Sequence, residues 1–477
     1  MPNLIELNAT WMNADLLESL VHLQKLERLS ISRLQGSMSQ DNMYFEPSFK
    51  GSPRIKELNM ADSSQMTDSA LVSITKTCSK LQVLNVSGNN YLTHEGLIRW
   101  CEQLQGSSRS VAATVVVVGM TELTTINFGN CNHIQSQGFQ ALFERSRHLQ
   151  KVNLMSTRIE DTALQVLATQ NSGLQTIILN CCPCISDQGL QTVLKTCRQL
   201  KVVSFLYCNR ITVQVFFQNL WKCLEMEELR FSLNNRHLDL IEHGISNSDG
   251  GGGGGSLSSQ NSEQQNDLLS NNNGLQTSKF YEPQLEFMIF GRPDPDDSLD
   301  ADTVNRGQGS SSTLTSVQEY RRRLILTQIY RQIERLGQLQ ILDMRNIHLP
   351  LDLTSGLSRL GRLATLQVLE LTGLEQPLGV SEIEWLASAM PWICRTTAPG
   401  AATSSLDERM QLQQDSCFSI EPSSIPLPRL RRLVFKEGHS MSIELLKKLN
   451  CCRPWLDVQL TQVREQFSLT NGVSTPE

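Results

Sequence analysis

The stretch LQTIILNCCPCISDQGLQTVLKTC, Leu174 to Cys197, decides the fold. Leu174, Ile177 and Leu179 follow L-x-x-L-x-L, the alternation of a short strand with one face buried. Leu190, Val193, Leu194 and Cys197 then recur at spacings of three and four, the stripe of an amphipathic helix. Between the two runs, Ser186 and Asp187 supply helix N-cap chemistry. The segment reads strand, turn, helix.

The same pattern recurs along the chain, with Ile, Val, Met and Phe standing in for Leu. Its first position falls at Leu4, Leu26, Ile55, Leu81, Leu123, Leu149, Leu174, Leu200, Met226, Leu339, Leu366, Leu430 and Trp455. Most steps are 25 or 26 residues, as from Leu149 to Leu174 and from Leu174 to Leu200. Three are longer: 42 from Leu81 to Leu123, 113 from Met226 to Leu339, and 64 from Leu366 to Leu430. A period of 20–29 residues with this strand signature is the leucine-rich repeat. One unit offers about six large apolar side chains, worth roughly 1.5–3 kcal/mol each when buried. Ordering its backbone costs about 1–2 kcal/mol per residue, so a lone unit cannot fold and stacking is obligatory. The expected fold class is α/β: a leucine-rich-repeat solenoid of about thirteen units of ~26 residues, with insertions.

The long steps set the expected domains. Residues 1–236 form the first part of the array. Residues 237–316 read as a disordered insert, with six glycines at Gly250–Gly255, Ser/Asn/Gln-rich sequence and acidic Asp294–Asp302. An apolar island inside it, Phe280–Phe290 (FYEPQLEFMIF), is either a partly ordered flap or a partner-binding or self-blocking motif. Residues 317–393 resume the array. There Tyr320–Leu336 predicts a convex helix from Leu326, Ile329, Tyr330, Ile333 and Leu336. Its Arg321–Arg323 run reads as a solvated helix face, with a localisation signal as the alternative. Residues 394–428 are a second polar insert, 429–460 degenerate terminal repeats and 461–477 a flexible tail.

The chain has 477 residues, 39% hydrophobic and 19% charged, with a net charge of −6. That balance argues against a nucleic-acid partner, which selects a basic field. The longest strongly apolar run, near Val115–Val118, is far short of the ~20 residues of a membrane helix, so no membrane partner is expected. Thirteen cysteines with no charged-then-apolar opening point to free thiols in a reducing compartment, cytoplasmic and/or nuclear.

Clustered Cys181, Cys182 and Cys184 raise the question of a metal. Cys131, Cys182 and Cys208 recur just after the strand, and Cys78, Cys197 and Cys223 recur three residues before the next one. Periodic packing accounts for both columns without metal; Cys181 and Cys184 fall outside them. Phosphate-loop, H-E-x-x-H and G-x-S-x-G motifs are missing, and the histidines show no motif-like pairing. No cofactor and no catalytic residue are expected.

What remains is the concave face, where outward-pointing strand positions converge. The position between the last two repeat leucines carries Asn59, Asn85, Asn127, Asn153, Ile178, Ser204 and Arg230, flanked by Leu206. Asp343, Arg345 and Glu370 continue the face beyond the insert. Thirteen strands about 4.8 Å apart make a ribbon of roughly 60 Å, enough for a protein partner. The Asn row is either part of a graded binding surface or simply tolerated at exposed positions. The surface reading expects Ile178→Asp with Leu206→Asp to abolish capture and leave the fold intact.

The unit at Leu174 closely resembles the cysteine-containing leucine-rich repeat of F-box proteins, as do units holding Cys208, Ile211 and Thr212, or Cys131, Ile134 and Ser136. The stretch from Leu339 to Ile393 resembles the irregular repeats of fungal F-box-like families. These resemblances imply a substrate-recognition part of a Skp–cullin–F-box ubiquitin ligase, holding a protein substrate on the concave face. A Skp-type adaptor and cullin would join only through an F-box supplied upstream, because the first repeat begins at Leu4. LPLDL at Leu349 superficially matches an F-box opening but lies in repeat register. The repeats also resemble those of the antagonists of mitotic exit, which implies as an alternative a regulatory scaffold without ligase attachment. A second alternative, from a different class, is a catalytic activator such as the leucine-rich-repeat Ran GTPase-activating proteins; it needs an exposed arginine finger, and those repeats lack this cysteine pattern.

Overall fold

The computed structural model describes residues 3–13, 20, 22–33, 53–63, 66–75, 78–103, 122–217, 221–233, 325–345, 356–372, 380–387, 427–436, 447, 449, 451 and 453–461. The chain divides into two units, one of Met1–Asn234 with Leu326–Glu477, the other of Asn235–Ile325. All that follows concerns the first. The expected insert 237–316 with its 280–290 island, Arg321–Arg323, the LPLDL at Leu349 and nearly all of the 394–428 insert and terminal tail lie outside the described residues.

Thirteen strands form one parallel sheet in sequential order. They are β1 Glu6–Thr10, β2 Arg28–Ser32, β3 Glu57–Asn59, β4 Val83–Asn85, β5 Thr125–Asn127, β6 Lys151–Asn153 and β7 Thr176–Ile178. Then come β8 Val202–Phe205, β9 Glu228–Ser232, β10 Ile341–Arg345, β11 Val368–Thr372, β12 Arg432–Lys436 and β13 Asp457–Thr461. Every strand starts two residues after the first position of a repeat, so all thirteen expected units are present. Helices α1 Asp68–Thr75, α2 His94–Gln103, α3 Ser136–Arg145, α4 Asp161–Gln170 and α5 Asp187–Thr196 follow β3 to β7. A 3-10 turn, Val213–Phe216, replaces the helix after β8. Helix α6, residues 325–333, precedes β10, and α7 Val380–Ala387 follows β11. Leu326, Ile329, Tyr330, Ile333 and Leu336 are all fully buried, as the periodicity predicts.

Register runs unbroken across the insertions. Glu228 pairs with Ile341 and Leu229 with Leu342, so β10 continues the sheet from β9 although 108 residues separate Ser232 from Ile341. The central apolar residues of β2 to β12, including Leu58, Leu84, Ile126, Val152, Ile177, Val203 and Leu229, form one buried row. In the end strand β1, Leu7 and Ala9 hold the same positions but are only half-buried.

Each strand from β1 to β8 is followed by a left-handed residue: Trp11, Arg33, Asp62, Gly88, Asn130, Ser156, Cys181 and Tyr207. Only one of the eight is glycine, so the others carry side-chain strain there. An inter-repeat hydrogen bond offsets it: the N–H of Asp62 donates to Ser87 at 2.7 Å, that of Asn130 to Met155 at 2.7 Å, and that of Cys181 to Leu206 at 2.8 Å. Cys181 thus lies outside both cysteine columns, as the sequence reading has it, but holds a repeat position of its own at this turn. Periodicity of hydrophobic residues could not reveal a column defined by backbone conformation.

Candidate functional site

The outward row has the composition expected and a tighter geometry. Asn59, Asn85, Asn127, Asn153, Ile178, Ser204 and Arg230 stand side by side in register on β3 to β9, followed by Asp343 and Glu370 on β10 and β11. The four asparagines share one arrangement. Each Oδ1 accepts the backbone N–H two residues ahead, from Ala61 at 3.2 Å, Ser87 at 3.1 Å, Gly129 at 3.0 Å and Met155 at 3.1 Å. A short carboxamide can satisfy its own chain in this way as the strand bends into the turn. The asparagine side chains are thus held by their own backbone and are not freely rotating surface groups.

At β7 the row changes character. Ile178 is half-buried, with Thr176 and Val202 beside it. Ser204 is 3% exposed and its hydroxyl donates to the Asn180 Oδ1 at 2.7 Å, while the Leu206 N–H donates to the same oxygen at 2.9 Å. Leu206 is itself 6% exposed. Simple alternation places it toward solvent, but β8 ends at Phe205 and Leu206 already belongs to the turn before Tyr207. A charge at Leu206 would therefore unsettle the fold, and the double variant expected from the sequence is not a clean surface test.

Beyond lies a charged network. Asp343 has no exposed side-chain surface and pairs with Arg345 at 2.8 Å. Arg345 also reaches Glu370 at 3.3 Å, and Arg230 bonds Glu228 within its own strand and approaches Asp343 at 4.0 Å. Burial opposes the charge on Arg345, yet its bonds and attraction to Asp343, with a side-chain hydrogen bond that it donates to Tyr207, outweigh it and raise its pKa. Tyr207 is 42% exposed. Half-buried Ile341 and Val368 lie beside the network. Aromatic and arginine side chains over a rigid apolar floor are what protein interfaces use as anchors. The sequence reading missed Tyr207, Ile341 and Val368; the exposed aromatic just past a repeat strand was the available signal for Tyr207.

The cysteines of the two repeat columns behave as core groups. Sγ of Cys131 donates to Val86 O at 3.2 Å, Cys182 to Leu154 O at 3.0 Å and Cys208 to Leu179 O at 3.0 Å. Thr157 and Asn89 fill the same repeat position and donate to Leu154 O and Val86 O at 2.8 and 2.7 Å. Burial pushes the Cys131 and Cys182 thiols up to about 11, so they stay protonated at neutral pH. Among the described residues, no group of three or more His, Cys, Asp or Glu could hold a metal ion. No described helix is long and apolar enough to cross a membrane.

A family model described as Leucine Rich repeat matches residues 77–99 and 145–168. The chain is similar to a solved internalin (inlF) from Listeria monocytogenes str. 4b F2365, at 11% identity over 96% of this chain and 86% of that one, with a TM-score of 0.41. It is also similar to the Rad7 and Elc1 complex in yeast, at 17% identity over 47% of this chain and 60% of that one, with a TM-score of 0.30. The first matched stretch spans β4 and the second β6, each with the start of its helix. Repeat period, strand register and matched units together make the chain an α/β leucine-rich-repeat solenoid.

Proposed function

We propose that this chain is a protein-interaction module that holds a protein partner on the outward face of its sheet, centred on β7 to β11. The observation that carries this reading is the row from Ile178 to Glu370. It joins half-buried aliphatic side chains to a fixed charge network, in unbroken register across the insertion. A rigid floor lowers the ordering cost of binding, and partly desolvated arginines confer specificity.

The biological role we infer is substrate recognition for a Skp–cullin–F-box ubiquitin ligase, on the strength of the cysteine-repeat resemblance. The partner is then a substrate, and ubiquitin transfer belongs to other proteins. A Skp-type adaptor and cullin would engage through an F-box outside the repeats. Tagging the endogenous locus at its carboxyl end, followed by affinity purification and mass spectrometry, tests the role. Co-purification of adaptor and cullin is expected. A stable partner without either would refute ligase attachment and leave a regulatory scaffold.

A further inference from the structure

Strand β1 ends the sheet, and among the described residues no strand lies beyond it. The Glu27 and Arg28 N–H groups donate to Ile5 O at 2.8 and 3.1 Å, and the Trp11 N–H donates to Ser32 O at 3.1 Å. The odd-numbered residues of β1 therefore turn their backbone groups toward β2. Alternation then points the N–H and C=O groups of Glu6, Asn8 and Thr10 away from the sheet, along its open edge. Such a row is a template for a further strand. The same end leaves apolar surface uncovered: Leu7 and Ala9 are half-buried, Ile5 is 52% exposed and Trp11 58%. Trp11 is held in place, with the Arg33 guanidinium 4.9 Å from its ring centroid.

We propose that β1 pairs with β1 of a second copy of this chain, antiparallel and centred on Asn8, so that the two sheets join into one. The inference stands apart from the partner-face reading above. To meet edge to edge with both cores on the same side, two copies must be related by a half-turn about an axis perpendicular to the sheet. That rotation reverses the strand. Only residues with outward backbone groups can exchange hydrogen bonds, so Asn8 meets Asn8 and Glu6 meets Thr10. This register engages all three outward residues of both copies, about six bonds at two per hydrogen-bonded pair. Leu7 then faces Ala9 of the second copy in a non-hydrogen-bonded pair, where side chains stand closest, a large residue against a small one. Exposed Ile5 and Trp11, at opposite ends of the strand, come beside Trp11 and Ile5 of the second copy. No like charges meet within the paired strands. The competing contact continues the array head to tail, with β13 of one copy against β1 of the next in the shared parallel register. It sets the half-exposed Asp457 carboxylate directly opposite Glu6, and like charges there oppose pairing. Twofold pairing also closes, whereas head-to-tail stacking does not.

The test is sedimentation velocity of the full chain from about 1 to 100 μM, the weak end of what protein interfaces reach. A reversible step from the 53.5 kDa monomer to a dimer is expected, with no larger species. The Asn8 N–H points away from β2, so Asn8→Pro removes a donor that only the second copy uses and should abolish the dimer. Thr10→Glu places a carboxylate opposite Glu6 at both ends of the pairing and should weaken the dimer about fivefold. Thr10→Lys, opposite the same Glu6, should tighten it by a similar factor. Equal thermal midpoints at low concentration establish that each variant is folded. The opposite signs of the two Thr10 changes give the reading should Asn8→Pro lower its midpoint. A monomer at every concentration overturns the proposal, as does a dimer that both Thr10 variants leave unchanged. Species that keep growing beyond the dimer would mean head-to-tail stacking and overturn it too.

Discussion

Asp187, at the start of α5, holds Thr212 of the following repeat with both carboxylate oxygens. The Thr212 N–H donates to Oδ1 at 2.8 Å and its hydroxyl to Oδ2 at 2.6 Å. Asp68 grips Thr93 in the same way at 2.8 and 2.7 Å, and Asp161 grips Ser186. The acid that opens one helix thus fixes the cap residue of the next, stitching each helix layer to its neighbour. Ser136 takes over at α3, accepting the Glu160 N–H at 3.2 Å.

Asp161→Ala should destabilise the array by about 2 kcal/mol, the scale of hydrogen bonds to a charged group. Gly189→Ala should do similar damage, because its Cβ would fall 2.3 Å from the Asp161 Oδ1. Both strike one contact, so the double variant should lose less than the two single losses combined. Urea unfolding midpoints of the four proteins check this; full additivity would deny the clamp.

Replacing residues 240–315 with a short glycine–serine linker should leave the repeat array folded. The Gln340 and Ile341 N–H groups bond Glu227 O at 2.7 and 3.0 Å, matching the 2.8 and 2.9 Å by which Gln175 and Thr176 bond Gln150 O. The β9–β10 junction is therefore an ordinary one, and loop length enters closure entropy only logarithmically. Circular dichroism and the thermal midpoint check the expectation; loss of the cooperative transition would contradict it.

The buried thiols give stability a sign in alkali. Burial raises Cys131 and Cys182 to about 11 and Cys101, Cys197 and Cys223 to about 12. Unfolded thiols ionise near about 8.5. A pKa raised by folding contributes stability that is complete below the unfolded value and lost as pH climbs toward the folded one. Urea midpoints in reductant should fall between about pH 9 and 12, and Cys182→Ser, which keeps a donor for Leu154 O, should fall less steeply. Exposed Cys451 should react with iodoacetamide well before Cys182.

Arg345→Ala should cost about 3 kcal/mol, because it strands the carboxylate of Asp343, which has no exposed side-chain surface. Arg345→Lys should recover only part, since one ammonium cannot reproduce two guanidinium contacts, with Asp343 and Glu370. Equilibrium unfolding of both variants measures the difference.

Leu174, Ile177 and Leu179 made the strand legible because burial repeats every unit and leaves a pattern in hydrophobicity alone. That pattern sufficed for thirteen strands and for α6. The Asp187–Thr212 clamp was half legible: Ser, Thr and Asp marked the helix caps, but the bond joins residues 25 apart, where no local rule applies. The asparagine row was found, and its arrangement was not, because composition cannot say which end of a carboxamide is occupied. Leu206 was misplaced because alternation holds only while the strand lasts.

The most direct measurement is quantitative affinity capture from the native source by the full chain and by Ile178→Asp, after equal thermal midpoints establish that both are folded. Ile178 is half-buried at the centre of the outward row, where an added carboxylate would face any protein bound there. The protein most enriched by the unmodified chain should be lost from Ile178→Asp. Equal enrichment by the two would contradict a partner site on this face.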